Sequence, residues 1–163
     1  MSTIKEWGLV RIDERLIHGQ VVAVWVRSRK FTKIHIVDDL LAADPFMVEV
    51  MRMSAPNGLE VIVETLEKSI GTLTENPTPQ FTMILMKSPI TALKLFESGI
   101  TYNSLNIGGI GMKPGRINVF RNSFLSKDEY QMLKTLQLGG VKITFQTVPG
   151  EKSRDFSDLS VVF

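Results

Sequence analysis

His18 and His35 are the only imidazoles in 163 residues, and the chain has no cysteine. That absence excludes disulfides, thiolate metal sites and cysteine nucleophiles. His35 lies inside an apolar run between Ile34 and Ile36, where a histidine is expected to be structural. His18 stands elsewhere, at the end of a short apolar strand, with Arg11, Asp13, Glu14 and Arg15 before it and Gly19 after it. Neutral imidazole is a competent nucleophile near pH 7. An anion placed on it would be stabilised by the amino end of a following helix and by an arginine fork. This combination describes a histidine that carries phosphate. The candidate catalytic residues are His18, Arg15 and Asp13, with Arg11, Gly19 and Gln20 as candidate phosphate-binding residues. From spacing alone Asp13 reads equally well as a helix cap, and the arginines as a solvated face.

Short β-branched runs alternate with longer segments of helical apolar spacing, and turn residues separate them. Strands are predicted at Glu6 to Ile12, Lys33 to Asp39, Leu59 to Glu64, Phe81 to Lys87, Ser104 to Gly109 and Val141 to Val148, with a short extended piece at Ile117 to Phe120. The first helix runs from near Gly19 through Val21, Val22, Trp25 and Val26, although a register beginning at Asp13 also fits the period. Asp44-Pro45 opens a helix to about Met53, Thr65 caps one to about Leu73, and Ser88-Pro89 opens one that Gly99 closes. Ser126 to Glu129 is a capping box for a last helix that stops at Gly139-Gly140. Strands joined by helix-length crossovers must pair in parallel, and continuous apolar strands such as FTMILM suit a sheet covered on both faces. The predicted fold is α/β: a single doubly wound, mostly parallel sheet with helices on both faces, forming one domain over residues 1–163. Ligands bind beyond the carboxyl ends of such strands, which places the 13–19, 38–44, 87–89 and 108–115 segments at the site end.

Nineteen lysines and arginines face 17 acids, and a net charge of +2 is too small for a nucleic-acid clamp. No nucleic-acid partner is expected. Residues 1–33 nonetheless hold seven cations (Lys5, Arg11, Arg15, Arg27, Arg29, Lys30, Lys33) against three acids, a basic corner suited to a small anion or an acidic protein face. The glycine-rich run Gly108 to Gly115 offers backbone N–H groups but is not a dinucleotide fingerprint, since Pro114 stands where glycine or alanine is needed. No P-loop or HExxH pattern occurs, and Asp38, Asp39 and Asp44 read as a strand-end turn and a cap, so neither metal nor cofactor is expected. The lack of a spanning apolar run and of a leader-like start predicts a soluble, unexported chain.

Several blocks resemble, in order, those of one family. They are VRIDERLIHGQVVAVWV (10–26), IVDDLLAADPFMVEVMRMSAPNGLEV (36–61), LMKSPITALKLFESGI (85–100), LNIGGIGMKPGR (105–116) and GVKITFQTVP (140–149). The family is the IIB component of the mannose/fructose/sorbose class of the bacterial phosphoenolpyruvate-dependent sugar phosphotransferase system. The resemblance implies that His18 is phosphorylated on Nδ1, that Arg15 binds the phosphoryl oxygens, and that Asp13 belongs to the same fixed block. It implies a IIA phosphohistidine as donor, a sugar as acceptor, and membrane IIC and IID components that carry the sugar inward. The chain would then be cytoplasmic, held at the inner face of the membrane by those partners. The resemblance also favours a loop position for His18 and a helix starting near Gly19. Other IIB classes carry phosphate on cysteine, which this chain lacks. The loop reads NIGGI where NVGGM is expected, a volume-conserving difference that keeps both glycines. A positive corner of Arg11, Arg15, Arg27, Arg29 and Lys30 near the active loop would attract the anionic face of IIA. The competing reading is an α/β module that holds a phosphorylated ligand without covalent transfer, for which an imidazole nucleophile has no special use. Neither the sugar nor the oligomeric state is legible in the sequence.

Overall fold

The computed structural model describes residues 6–163, so Lys5 of the basic corner lies outside them. Its elements are β1 (Leu9–Asp13), α1 (Val21–Arg29), β2 (Lys33–Val37), α2 (Asp39–Ala42), α3 (Pro45–Ser54), β3 (Glu60–Glu64), α4 (Leu66–Thr74), β4 (Thr82–Met86), α5 (Pro89–Glu97), β5 (Ser104–Gly109), β6 (Arg116–Phe120), β7 (Ser123–Ser126), α6 (Lys127–Leu138), β8 (Lys142–Phe145) and β9 (Arg154–Asp155). Seven strands form one sheet in the order β3-β2-β4-β1-β5-β8-β9. All pairings from β3 to β8 are parallel, and β9 closes the edge antiparallel to β8.

The central strands are apolar on both faces because both faces are covered. Val10, Ile12, Ile84, Met86 and Ile107 pack with Leu73 of α4, Ala92 and Leu95 of α5, and Leu133 and Leu136 of α6. Leu9, Ile34, Ile36, Met83 and Leu85 pack on the other side with Val22 and Trp25 of α1 and Met51 of α3. Alternation along β1 therefore sends Val10 and Ile12 to one core, while Leu9 and the polar pair Arg11 and Asp13 point to the α1 side. Each helix start follows local chemistry. Asp38, Asp44, Thr65 and Ser126 accept backbone N–H groups of their first turns, and Glu129 completes the capping box at Ser126.

The structure departs from the sequence expectation at short elements. β1 begins and ends later than Glu6 to Ile12, running from Leu9 to Asp13. α1 starts at Val21, because Gly19 has a φ of +46° and cannot sit in a right-handed helix. The four-residue α2 is too short to show a period. The 117–120 piece pairs with β7 as an antiparallel ribbon, and Val141 to Val148 is not the last strand but yields β8, followed by β9. The ribbon is fixed to the exit of β5, where Phe124 N–H donates to the Ile110 carbonyl at 2.9 Å.

His35 lies in mid-sheet, fully buried, with Nε2 3.0 Å from Ser69 Oγ and 3.2 Å from Glu64 Oε1. Burial lowers its pKa to about 4, against an opposing contribution from Glu64 and with a smaller lowering by Lys33. The unfolded chain, with an ordinary pKa near 6.5, therefore takes up this proton first as pH falls. The stability associated with neutral His35 is complete above pH 6.5 and is lost between about pH 6.5 and 4, on the order of 3 kcal/mol in total. His35→Gln should flatten that part of the profile in urea titrations at pH 7, 5.5 and 4.5. Parallel profiles for wild type and variant would remove His35 as the cause.

Candidate active site

Asp13 ends β1 with its carboxylate fully buried and two arginines on it. From below, Arg11 Nη2 donates to Oδ2 at 3.1 Å. From above, Arg15 donates three times, through its backbone N–H and Nε to Oδ1 at 3.0 Å each and through Nη2 to Oδ2 at 3.1 Å. One edge of the Arg15 guanidinium is thus locked by Asp13. Its side chain is 47% exposed, which leaves the Nη1 end open to solvent.

Arg11 is a different kind of arginine. It is 1% exposed, its Nη1 donates to Asn106 Oδ1 and to the Gln146 carbonyl, and its Nη2 also reaches the Thr147 carbonyl at 3.0 Å. Trp25 packs against its guanidinium, with Cζ 5.4 Å from the ring centroid. Burial brings its pKa down to about 10, opposed by Asp13, so it stays charged at neutral pH. Both terminal nitrogens are engaged inside the protein, so Arg11 supports Asp13 from beneath rather than lying at the surface. Gly108 makes room for it, since a Cβ there would overlap the guanidinium.

The loop from Asp13 to Gln20 is tightly built. Leu16 N–H donates to the Asp13 carbonyl at 2.9 Å, and Leu16 takes a φ of +58°, unusual for a branched residue. The buried side chains of Leu16 and Ile17 anchor the loop to the α1-side core. His18, 22% exposed, follows them, and its Nδ1–H donates to the Leu16 carbonyl at 3.0 Å. Its Nε2 is enclosed without a hydrogen-bond partner, 4.0 Å from Asp13 Oδ2. In this arrangement neither ring nitrogen offers a lone pair to solvent, and Nδ1 becomes available only when the ring turns away from Leu16. Gly19 and Gln20 are exposed, and Gln20 caps α1 without a side-chain hydrogen bond, leaving first-turn N–H groups uncapped beside His18.

A cleft of about 180 Å³ opens beside Arg15, lined by Glu14, Gly109, Ile110, Gly111 and Asn122. Glu14 does not make it acidic, because Oε1 accepts from Arg116 Nη1 and Oε2 from Gly111 N–H, each at 2.8 Å. Arg116 in turn grips Glu129 through Nε and Nη2 at 2.9 and 2.8 Å. Burial works to lower the Arg116 pKa, but hydrogen bonds and charge from Glu129 and Glu14 outweigh it and raise the value. Burial likewise works to raise that of Glu129, and Arg116 and Ser126 hold it below the usual carboxylate range. Asn122 and Arg116 escaped sequence reasoning because a ribbon turn and a strand from elsewhere in the chain bring them here. The expected basic corner is corrected too. Arg11 is buried, and Arg27, Arg29 and Lys30 occupy the far end of α1, where Arg29 Nη1 donates to the Gly8 carbonyl before β1 begins.

Comparison with known proteins decides the family. The model of the PTS system sorbose subfamily IIB component matches residues 7–162. The chain belongs to this family. It is 32% identical over 152 residues to the sorbose-specific EIIB component of Klebsiella pneumoniae, covering 92% of each chain. It is 29% identical over 154 residues to the mannose-specific EIIAB component of Escherichia coli K12, covering 93% of this chain and 47% of that longer one. The crystal structure of the IIBSor domain of the sorbose permease from Klebsiella pneumoniae superposes with a TM-score of 0.86 at 32% identity, covering 94% of this chain and 95% of that one. The α/β fold with its mostly parallel sheet is that of PTS IIB domains, and the IIB chain is a sugar-specific component of this transport system.

The Arg11 pocket in this IIB component predicts a sharp contrast between two glycines. Gly108→Ala should lower stability by at least about 2 kcal/mol by displacing a buried charge. Gly71→Ala in α4, where an added Cβ meets nothing within 4 Å, should be neutral or stabilising by up to about 1 kcal/mol. Urea unfolding of both variants checks this, and equal midpoints would remove the steric account.

Proposed function

We propose that the chain is a phosphoryl carrier, taking a phosphoryl group from a IIA phosphohistidine onto His18 and passing it to a sugar during uptake through membrane IIC and IID components. The observation that carries this reading is one buried carboxylate, Asp13, gripping the exposed Arg15 and lying 4.0 Å from His18 at an uncapped helix start. Membership in the IIB family supports the same role. The mannose-specific relative bears the name EIIAB, which favours a IIA partner.

In the first transfer the His18 ring turns away from the Leu16 carbonyl, its single proton moves from Nδ1 to Nε2, and the Nδ1 lone pair so freed forms a bond to phosphorus. The donor's N–P bond breaks at the same time, and that electron pair stays with the donor imidazole. Asp13 faces Nε2 and fixes the ring, while the open end of Arg15 and the first N–H groups of α1, beyond Gly19 and Gln20, neutralise the phosphoryl oxygens. Arg11 acts through Asp13, holding the carboxylate in place. In the second transfer a sugar hydroxyl oxygen takes the phosphorus, the His18 N–P bond breaks, and the hydroxyl proton ends on the regenerated imidazole. Among the described residues no helix is long and apolar enough to cross a membrane. Family membership favours the cytoplasmic face as the proposed place of action, reached through the transporter partners.

The satisfied Nδ1 of His18 is the observation that favours the other reading, a module that binds an anion without a covalent bond. Intact mass spectrometry under alkaline conditions separates the two, after incubation with phosphoenolpyruvate, the general phosphotransferase proteins and the cognate IIA. One added phosphate is expected on His18, absent in His18→Ala. Arg15→Lys keeps the charge but loses the fork on Asp13, and transfer should slow by roughly tenfold or more. An unmodified wild type beside a demonstrably active IIA would leave non-covalent binding as the function.

A further inference from the structure

Of the cations anticipated near the active loop only Arg15 is exposed beside it, and two further arginines come from the β6–β7 turn and from β9. From Arg15 the cleft floor at Gly109 leads to Asn122, since a Cβ on Gly109 would lie 3.0 Å from Arg15 Nη2 and 3.2 Å from Asn122 Nδ2. Asn122 and Arg121 form the turn between β6 and β7. The turn is braced, with Asn118 Nδ2 donating to the Arg121 carbonyl at 2.6 Å, and Arg121 adopts a left-handed φ of +44°. Its guanidinium lies 5.5 Å from the centroid of the Phe120 ring, and Arg154 of the edge strand β9 lies 5.4 Å from the same ring. Arg154 pairs in register with Phe145, the last residue of β8, and so stands at the sheet end that carries His18.

Both arginines are exposed, and neither has an ion-pair partner among the described residues. Of the nearby acids, Glu14 and Glu129 are ion-paired with Arg116 and Asp13 with Arg11 and Arg15, while Asp155, which accepts from Thr144 Oγ1, keeps its charge next in sequence to Arg154. Exposed Glu151 is followed directly by exposed Lys152, so that loop adds no net charge. Two guanidinium groups held on one ring repel each other, and an anion brought over them relieves that repulsion. They project from a ribbon turn and an edge strand instead of converging into a cavity, which suits a protein face better than a small ion.

We propose that Arg15, Arg121 and Arg154 form a continuous cationic rim on which an acidic face of the phosphoryl-donating protein lands. The proposal rests on the carrier reading given above. A phosphorylated donor carries additional negative charge on the group it must bring to His18, so attraction to this rim speeds encounter and orients it.

The test compares two donors. Phosphoramidate loads histidine without a protein face to dock, whereas the phosphorylated IIA protein of the same transporter needs one. The quantity read is the ratio of the IIA rate to the phosphoramidate rate at low and high salt. For the double variant Arg121→Glu/Arg154→Glu that ratio should fall about tenfold or more at low salt, and its salt dependence should flatten. Arg121→Asn/Arg154→Gln, whose asparagine tolerates the left-handed turn, should give a smaller fall in the same direction and covers a failure of the first variant to fold. Arg27→Glu, at the far end of α1, should leave the ratio unchanged. An unchanged ratio in folded rim variants overturns the proposal while leaving the carrier reading intact. A defect confined to onward transfer to sugar also overturns it, by assigning the rim to the membrane components. Wild type that neither donor phosphorylates on His18 removes the carrier reading and the rim together.

Discussion

The site is organised around a carboxylate that has no access to water. A buried, unpaired Asp13 would be strongly destabilising, and the chain surrounds it with donors from both sides of the strand end. Arg11 is the inner partner and is itself a buried cation, so the two charges are only tolerable together. This mutual dependence explains features that otherwise look unrelated: the missing side chain at Gly108, the orientation of Asn106, and the carbonyls of Gln146 and Thr147 turned inward after β8. Trp25 closes the arrangement and ties it to the same carbonyl layer, donating from Nε1 to Thr147 at 2.9 Å.

Much of this was legible because it rests on local rules. His18 and Arg15 could be singled out because their loop follows one apolar strand and precedes one amphipathic helix. The caps at Asp44, Thr65 and Ser126 announced their helices because each side chain accepts a backbone N–H three residues on, and at Ser126 the Glu129 side chain answers in return. The depth of Arg11 was not legible. Its spacing from Asp13 places both on one face of β1, but the groups that bury it come from far along the chain, Asn106 from β5 and Gln146 and Thr147 from the segment after β8. The same limit applies to the ribbon and to Arg154. A five-residue strand and a four-residue strand carry too little pattern to reveal that they pair and lean over the exit of β5.

His35 and His18 show how one residue type is put to opposite uses by position in the sheet. Mid-strand, the imidazole is sealed under α4 against Ser69 and Glu64, and its neutral form belongs to the packing. Beyond the strand end, the ring lies on a loop whose backbone is fixed while the side chain is held by a single carbonyl contact.

Glu129 links that loop to a distant helix. Its Oε1 accepts from Ser126 N–H and from Arg116 Nε, Oε2 accepts from Arg116 Nη2, and Arg116 continues to Glu14 and the Gly111 carbonyl. The cap of α6, the exit of β5 and the residue after Asp13 therefore share one truss. Buried Leu16 and Ile17 pin what the truss does not reach. The motion that the proposed transfer requires at His18 is rotation of its side chain, which breaks one contact to the Leu16 carbonyl. A group attached there can be gained and given up with little conformational entropy lost or recovered, so the reorganisation cost of each exchange stays small in both directions.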